Sequence, residues 1–81
     1  MESKHVVIYS QVTCPPCHQA KAWLSDQQIP YQEKDIRKDP IYIDELIRLG
    51  SQMTPTFIIG EKVLIGFDPT ELLETWNSYK E

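Results

Sequence analysis

The chain has 81 residues and a formal net charge of −4, with 41% hydrophobic and 25% charged residues. This composition fits one small soluble domain over residues 1–81, not a disordered chain or two domains. The acidic balance argues against nucleic acid as a partner, and no stretch approaches the ~18 apolar residues of a membrane span.

Met1-Glu2-Ser3-Lys4 runs straight into the first strand, which leaves no room for a signal peptide and makes a cytoplasmic location the expectation. His5-Val6-Val7-Ile8-Tyr9-Ser10 is a continuous apolar, β-branched run suited to a strand covered on both faces. Pro15 and Pro16 then open a helix running to about Gln27, with Ala20, Trp23 and Leu24 facing the sheet. Tyr31 to Ile36 reads as a second strand, polar enough for a sheet edge. Asp39-Pro40 starts a second helix with an Ile43, Leu46, Ile47 stripe, and Gly50 stops it.

Thr56 to Ile59 and Lys62 to Ile65 form a hairpin around Gly60-Glu61. Asp68, Pro69 and Glu71 cap a last helix whose apolar face is Leu72, Leu73, Trp76 and Tyr79. The order β-α-β-α-β-β-α implies an α/β fold. Its first two strands are parallel, its last two antiparallel, and helices on both faces cover every apolar stripe.

The only cysteines, Cys14 and Cys17, stand at the first strand-to-helix junction. A Cys-x-x-Cys pair there suits thiol–disulfide exchange, because the unsatisfied N–H groups of a helix start favour thiolate over thiol. A free thiol near pKa ~8.5 falls toward ~7 in such a place. Pro15 and Pro16 have no N–H, so the Cys17 N–H is the expected donor to the Cys14 sulfur. Cys14 lies at the more exposed end and reads as the nucleophile, and Cys17 as the resolving thiol. A zinc site needs four ligands, and beyond the cysteines only His5 and His18 offer imidazoles, so no metal site is assigned. His18 and Lys21 read as surface residues, Asp44-Glu45 as a solvated face, and Tyr9, Trp23 and Trp76 as packing. No carboxylate is placed to act as a base on Cys17.

Three segments carry a resemblance: Val12-Thr13-Cys14-Pro15-Pro16-Cys17, Met53-Thr54-Pro55 and Gly66-Phe67-Asp68. At these distances the chain resembles a small glutaredoxin of the thioredoxin fold over nearly its whole length. The resemblance implies that Thr54-Pro55 is a cis-proline pair facing the cysteines and presenting the Thr54 backbone to substrate. In glutathione-dependent members, Gly-Gly, a small residue and two aspartates hold the glutathione amino end. Here Ile65, Phe67 and Pro69 replace three of these, and only Asp68 remains. Gln11 and Pro16 stand where such proteins often carry lysine and tyrosine. Gly66-Phe67-Asp68-Pro69 is instead similar to the Gly-Phe-Arg-Pro segment of small redoxins that feed ribonucleotide reductase and draw on thioredoxin reductase. The cysteine-loop residues and Met53-Thr54 depart from that subgroup. Val12, Met53 and Phe67 are expected to form an apolar collar around Cys14.

The reading is a dithiol–disulfide oxidoreductase that reduces protein or small-molecule disulfides and contributes to electron transfer and cell redox homeostasis. It is expected to be a monomer with no bound cofactor. Its reductant is glutathione or thioredoxin reductase, the incomplete glutathione contacts favouring the reductase. The alternatives are a non-catalytic thioredoxin-fold binding module and a glutathione-dependent iron–sulfur cluster carrier.

Overall fold

The structure, a computed structural model, describes residues 4–80. Met1–Ser3, read above as leading straight into the first strand, lie outside the described residues. The elements are β1 (Val6–Ser10), α1 (Pro15–Asp26), β2 (Tyr31–Asp35), α2 (Pro40–Arg48), β3 (Thr56–Ile59), β4 (Lys62–Ile65) and α3 (Pro69–Lys80). They build a four-stranded mixed sheet in the order β2-β1-β3-β4, a thioredoxin-like fold.

β1 pairs parallel with β2, with Ser10 opposite Asp35, and antiparallel with β3, with Tyr9 opposite Thr56. The end of β1, the end of β2 and the start of β3 therefore meet at one edge, where the chain leads into the cysteines. Period-two alternation divides β1 between two layers. Val6 and Ile8 join Ala20 and Leu24 of α1, Phe57 and Ile59 of β3, and Leu72 and Trp76 of α3 in one core. Complete burial of Leu24 contributes about 1.5–3 kcal/mol. α1 ends on Gln28 in the left-handed region at φ 59°, which returns Ile29 N–H to the Leu24 carbonyl at 2.9 Å and Ile29 to the core.

α2 covers the other face, with an inward side that differs from the apolar stripe expected of it. Leu46 is buried, but Ile43 and Ile47 are 41% and 58% exposed. Tyr42, Glu45, Leu46 and Leu49 turn inward, on consistent helical spacing. The cause is polar. Tyr9 Oη donates to Glu45 Oε1 at 2.8 Å, Lys34 Nζ donates to the same oxygen at 3.0 Å, and Lys34 lies over the Tyr9 and Tyr42 rings. These partners rotate the isoleucines outward. Glu45 is thus a bonded group and not part of a solvated face, and α2 leaves apolar surface uncovered.

Candidate active site

Cys14 is the N-cap of α1. Its backbone is extended, at φ −110° and ψ 100°, and its sulfur accepts the Cys17 N–H at 3.3 Å. Exposed Pro15 and Pro16 fill the first turn without N–H groups, so the first donor available to that sulfur comes from Cys17. Gln11 and Cys14 close the preceding turn through a Cys14 N–H to Gln11 carbonyl bond of 3.1 Å, which leaves Val12 and Thr13 exposed. The two sulfurs are joined as a disulfide, with Cα atoms 5.2 Å apart, inside the ordinary span of such bridges. Cys14 keeps 6% exposure and Cys17 none, so an external sulfur approaches the bridge from the Cys14 side.

The Thr54–Pro55 peptide is cis, and the Thr54 carbonyl oxygen lies 3.6 Å from the Cys14 sulfur. Three residues ahead, Ser51 is a buried staple. Its Oγ accepts the Met53 N–H at 3.3 Å and lies 2.8 Å from Thr56 Oγ1, while Thr56 Oγ1 donates to the Met53 carbonyl at 2.7 Å. Gln11 Nε2 donates to Thr54 Oγ1 at 3.2 Å and ties the cysteine loop to this segment. Ser51 escapes sequence reasoning, because a serine beside a helix-ending glycine reads as an ordinary turn residue, and Gln11, marked in the sequence only as replacing a lysine, gives no sign there of its bond to Thr54. Pro55 is buried, and its carbonyl accepts the Gly66 N–H at 2.9 Å, with Gly66 at φ 86°.

The collar expected of Val12, Met53 and Phe67 is only partly built. Val12 and Met53 are 62% and 53% exposed, but Phe67 turns inward against Trp23, 5.9 Å between ring centroids, and Phe57, 6.4 Å. Aromatic edges offer Phe67 more contact than water does. Asp68 Oδ1 accepts the Thr70 and Glu71 N–H groups at 3.1 and 3.3 Å and caps α3. The site thus gathers Cys14, Cys17 and Thr54, with Val12 and Met53 exposed on the two segments that carry them, while Phe67 is committed to packing and Asp68 to capping.

Beside the cysteines, Glu33 Oε2 accepts Ser10 Oγ at 2.5 Å and Lys21 Nζ at 2.8 Å. Burial opposes ionisation of Glu33, but the bonds from Lys21 and Ser10 outweigh it and hold the carboxyl below its usual range. Lys21 is thus a partnered residue and not a free surface lysine. His18 is exposed, but its Nε2 lies 2.8 Å from the Val12 carbonyl oxygen, so its ring braces the cysteine loop. A cleft of about 470 Å³ opens here between α1 and the β2–α2 turn. A larger cleft, about 520 Å³, lies at the β3–β4 turn against α3, at the opposite end of β3 from the cysteines.

A thioredoxin fold with a Cys-x-x-Cys disulfide at the start of α1 defines a thiol–disulfide oxidoreductase. The glutaredoxin family model matches residues 6–64, and the chain belongs to the glutaredoxin family. It is 31% identical over 67 residues to the glutaredoxin-like protein NrdH of Lactococcus lactis subsp. cremoris, covering 83% of this chain and 93% of that one. The solved structure of the thioredoxin-like protein BC3987 matches with a TM-score of 0.82 at 32% identity, covering 86% of this chain and 97% of that one. A 41-residue stretch is 44% identical to the global transcriptional regulator Spx 1 of Bacillus cereus, spanning 51% of this chain but 31% of that one.

Proposed function

We propose that this protein reduces disulfides of protein clients in the cytoplasm as a monomeric dithiol redoxin, and that a flavoprotein thioredoxin reductase returns it to the dithiol form. The Cys14 thiolate attacks one sulfur of a client disulfide. The client S–S bond breaks, a Cys14–client disulfide forms, and the other client sulfur leaves as a thiolate. Cys17 then loses its proton to water or to the departing thiolate and attacks the Cys14 sulfur. The second client thiol is released, and the Cys14–Cys17 disulfide holds the two electrons' worth of oxidation. The reductase supplies two electrons from NADPH to restore both thiols. In this way the protein serves electron transfer and redox homeostasis.

The observation that carries the reading is the exposure order. Cys17 is fully buried, whereas Cys14 keeps a narrow 6% exposure, its sulfur lies beside the Thr54 carbonyl, and its near chain neighbour Val12 and Thr54's neighbour Met53 are exposed. An extended client strand finds a backbone acceptor and two apolar contacts there. Preference for the reductase over glutathione is supported by Phe67, a bulky ring packed against the core where a glutathione site carries a small residue. The likeness of Gly66-Phe67-Asp68-Pro69 to the matching segment of redoxins that draw on thioredoxin reductase supports the same choice.

The test compares recovery of the oxidised protein in two NADPH-coupled systems. Turnover with thioredoxin reductase alone, and little with glutathione plus glutathione reductase, is expected. Fast turnover with glutathione alone would overturn the assignment of reductant.

A second reading, a non-catalytic thioredoxin-fold binding module in which disulfide exchange is incidental, is favoured by the stretch shared with the Spx 1 regulator. A Cys14→Ser variant that retains full activity in cells lacking the native chain would decide for it.

A further inference from the structure

We infer that the cleft on the β2 side of Cys14 is a specificity site for an acidic polypeptide segment, so that preferred clients carry aspartate or glutamate beside the disulfide they present. This rests on the protein-client reading above and names the chemistry of that client.

The argument begins with register. β2 continues past its last residue, because the Ile36 N–H donates to the Ser10 carbonyl at 2.9 Å. That bond sets Arg37 and Lys38 level with the loop that carries Val12 and Cys14. The turn is closed by Asp35, whose carbonyl accepts the Lys38 N–H at 3.0 Å and whose Oδ1 accepts the Arg37 N–H at 2.9 Å. Val12 lines the same cleft, so it reaches from the turn to the cysteine loop.

Charge is distributed unevenly there. The chain as a whole carries −4, yet the cleft is lined by Lys21, Arg37 and Lys38 against Glu33 and Asp35, with His18 at its rim. Both acids are already engaged, Glu33 by Lys21 and Ser10, and Asp35 by the turn backbone. Asp39, next in the chain, caps α2 by accepting the Ile41 N–H at 3.0 Å. The Arg37 and Lys38 side chains, both exposed, make no hydrogen bond or ion pair among the described residues. Lys38 still attracts the Glu33 carboxylate across the cleft, but two exposed cations without a hydrogen-bonded partner on an otherwise acidic molecule complement an anionic partner and repel a basic one.

The sheet order shows how a client reaches them. Cys14 stands above the end of β1, with Thr54 on the β3 side and the Arg37–Lys38 turn on the β2 side. A strand that pairs with the Thr54 backbone and crosses Cys14 continues over the cleft. Residues on one side of its cysteine then meet Arg37 and Lys38. Arginine binds a carboxylate with two parallel N–H groups, and lysine adds a point charge.

The experiment is a single-turnover reaction between the full chain, chemically reduced beforehand, and two cyclic peptide disulfides. The peptides are identical except for Asp-Asp or Ser-Ser beside one cysteine. Rate constants are measured for the native chain and for an Arg37→Ala/Lys38→Ala variant, in low salt and in about 0.5 M salt. A small neutral disulfide serves as the common reference. The acidic peptide is expected to react about tenfold faster than its serine counterpart in low salt. That ratio should collapse toward one at high salt and in the variant, while the serine peptide and the neutral disulfide keep their rates. Equal rates for the two peptides, or an acidic preference that survives in the variant, overturns the inference. So does a variant effect confined to glutathione disulfide, run as a fourth substrate, which would assign the cleft to a small carboxylate-bearing thiol. Reduction of the neutral disulfide with neither peptide reduced would instead remove the protein-client reading itself, and this inference with it.

Discussion

Replacing Tyr9 by Phe tests how α2 is held against the sheet. Tyr9 is 2% exposed, and its hydroxyl donates to Glu45 Oε1 at 2.8 Å. A hydrogen bond to a charged acceptor contributes roughly 1.5–3 kcal/mol. Two features reduce that figure here. The Glu45 side chain is 34% exposed, so water replaces part of the lost bond, and Lys34 remains on the same oxygen at 3.0 Å. The expected loss at neutral pH is about 1 kcal/mol, or about 4–8 °C in Tm for a chain of this size. Urea unfolding of the oxidised protein, followed by circular dichroism, measures it.

The loss must also depend on pH. Bonds from Lys34 and then Tyr9 hold the Glu45 carboxyl below the usual glutamate range. A carboxyl depressed in the folded state contributes stability that is complete above its unfolded pKa and lost as pH falls through its folded one. The native chain should therefore lose stability as the pH falls below about 4.5. The gap to the Tyr9→Phe variant should narrow over the same window. A gap below about 0.3 kcal/mol at neutral pH, or one unchanged at acid pH, would refute the claim that Glu45 orients α2.

Two further outcomes test the site and the packing. A Cys17→Ser variant should stop at the Cys14–client disulfide and accumulate it, visible as a mass increase on intact-protein spectra, whereas Cys14→Ser should form none; trapping through Cys17 alone would reverse the assigned roles. Gly60 has φ 62°, and a Cβ added there would lie 2.8 Å from the Tyr79 ring. Gly60→Ala should cost about 1 kcal/mol or more through backbone and ring together, as thermal unfolding would report, and Tyr79→Leu should relieve part of that cost.

How much could be read from residues alone varies by element. The Cys14–Cys17 pair, its place at a helix start, and the donor role of the Cys17 N–H follow from local chemistry, since prolines lack an N–H wherever they fold. The strands and the α3 cap were equally legible, because alternation, turn glycines and an aspartate ahead of a proline act over a few residues. The inward face of α2 was not. Apolar spacing pointed to Ile43 and Ile47, but the face was chosen by Tyr9 and Lys34, which are distant in sequence and meet Glu45 only across the sheet.

The same distinction governs the site. Sequence by itself determined the reaction class, because two thiols at that spacing carry the electrons themselves. Only the tertiary structure decided what surrounds them. It packed half-buried Phe67 against the core and joined Gln11 to Thr54. It also bound Glu33 between Ser10 and Lys21 and brought Arg37 and Lys38 level with the cysteine loop. Those placements depend on strand register and on competition for buried partners, which are settled between segments far apart in the chain.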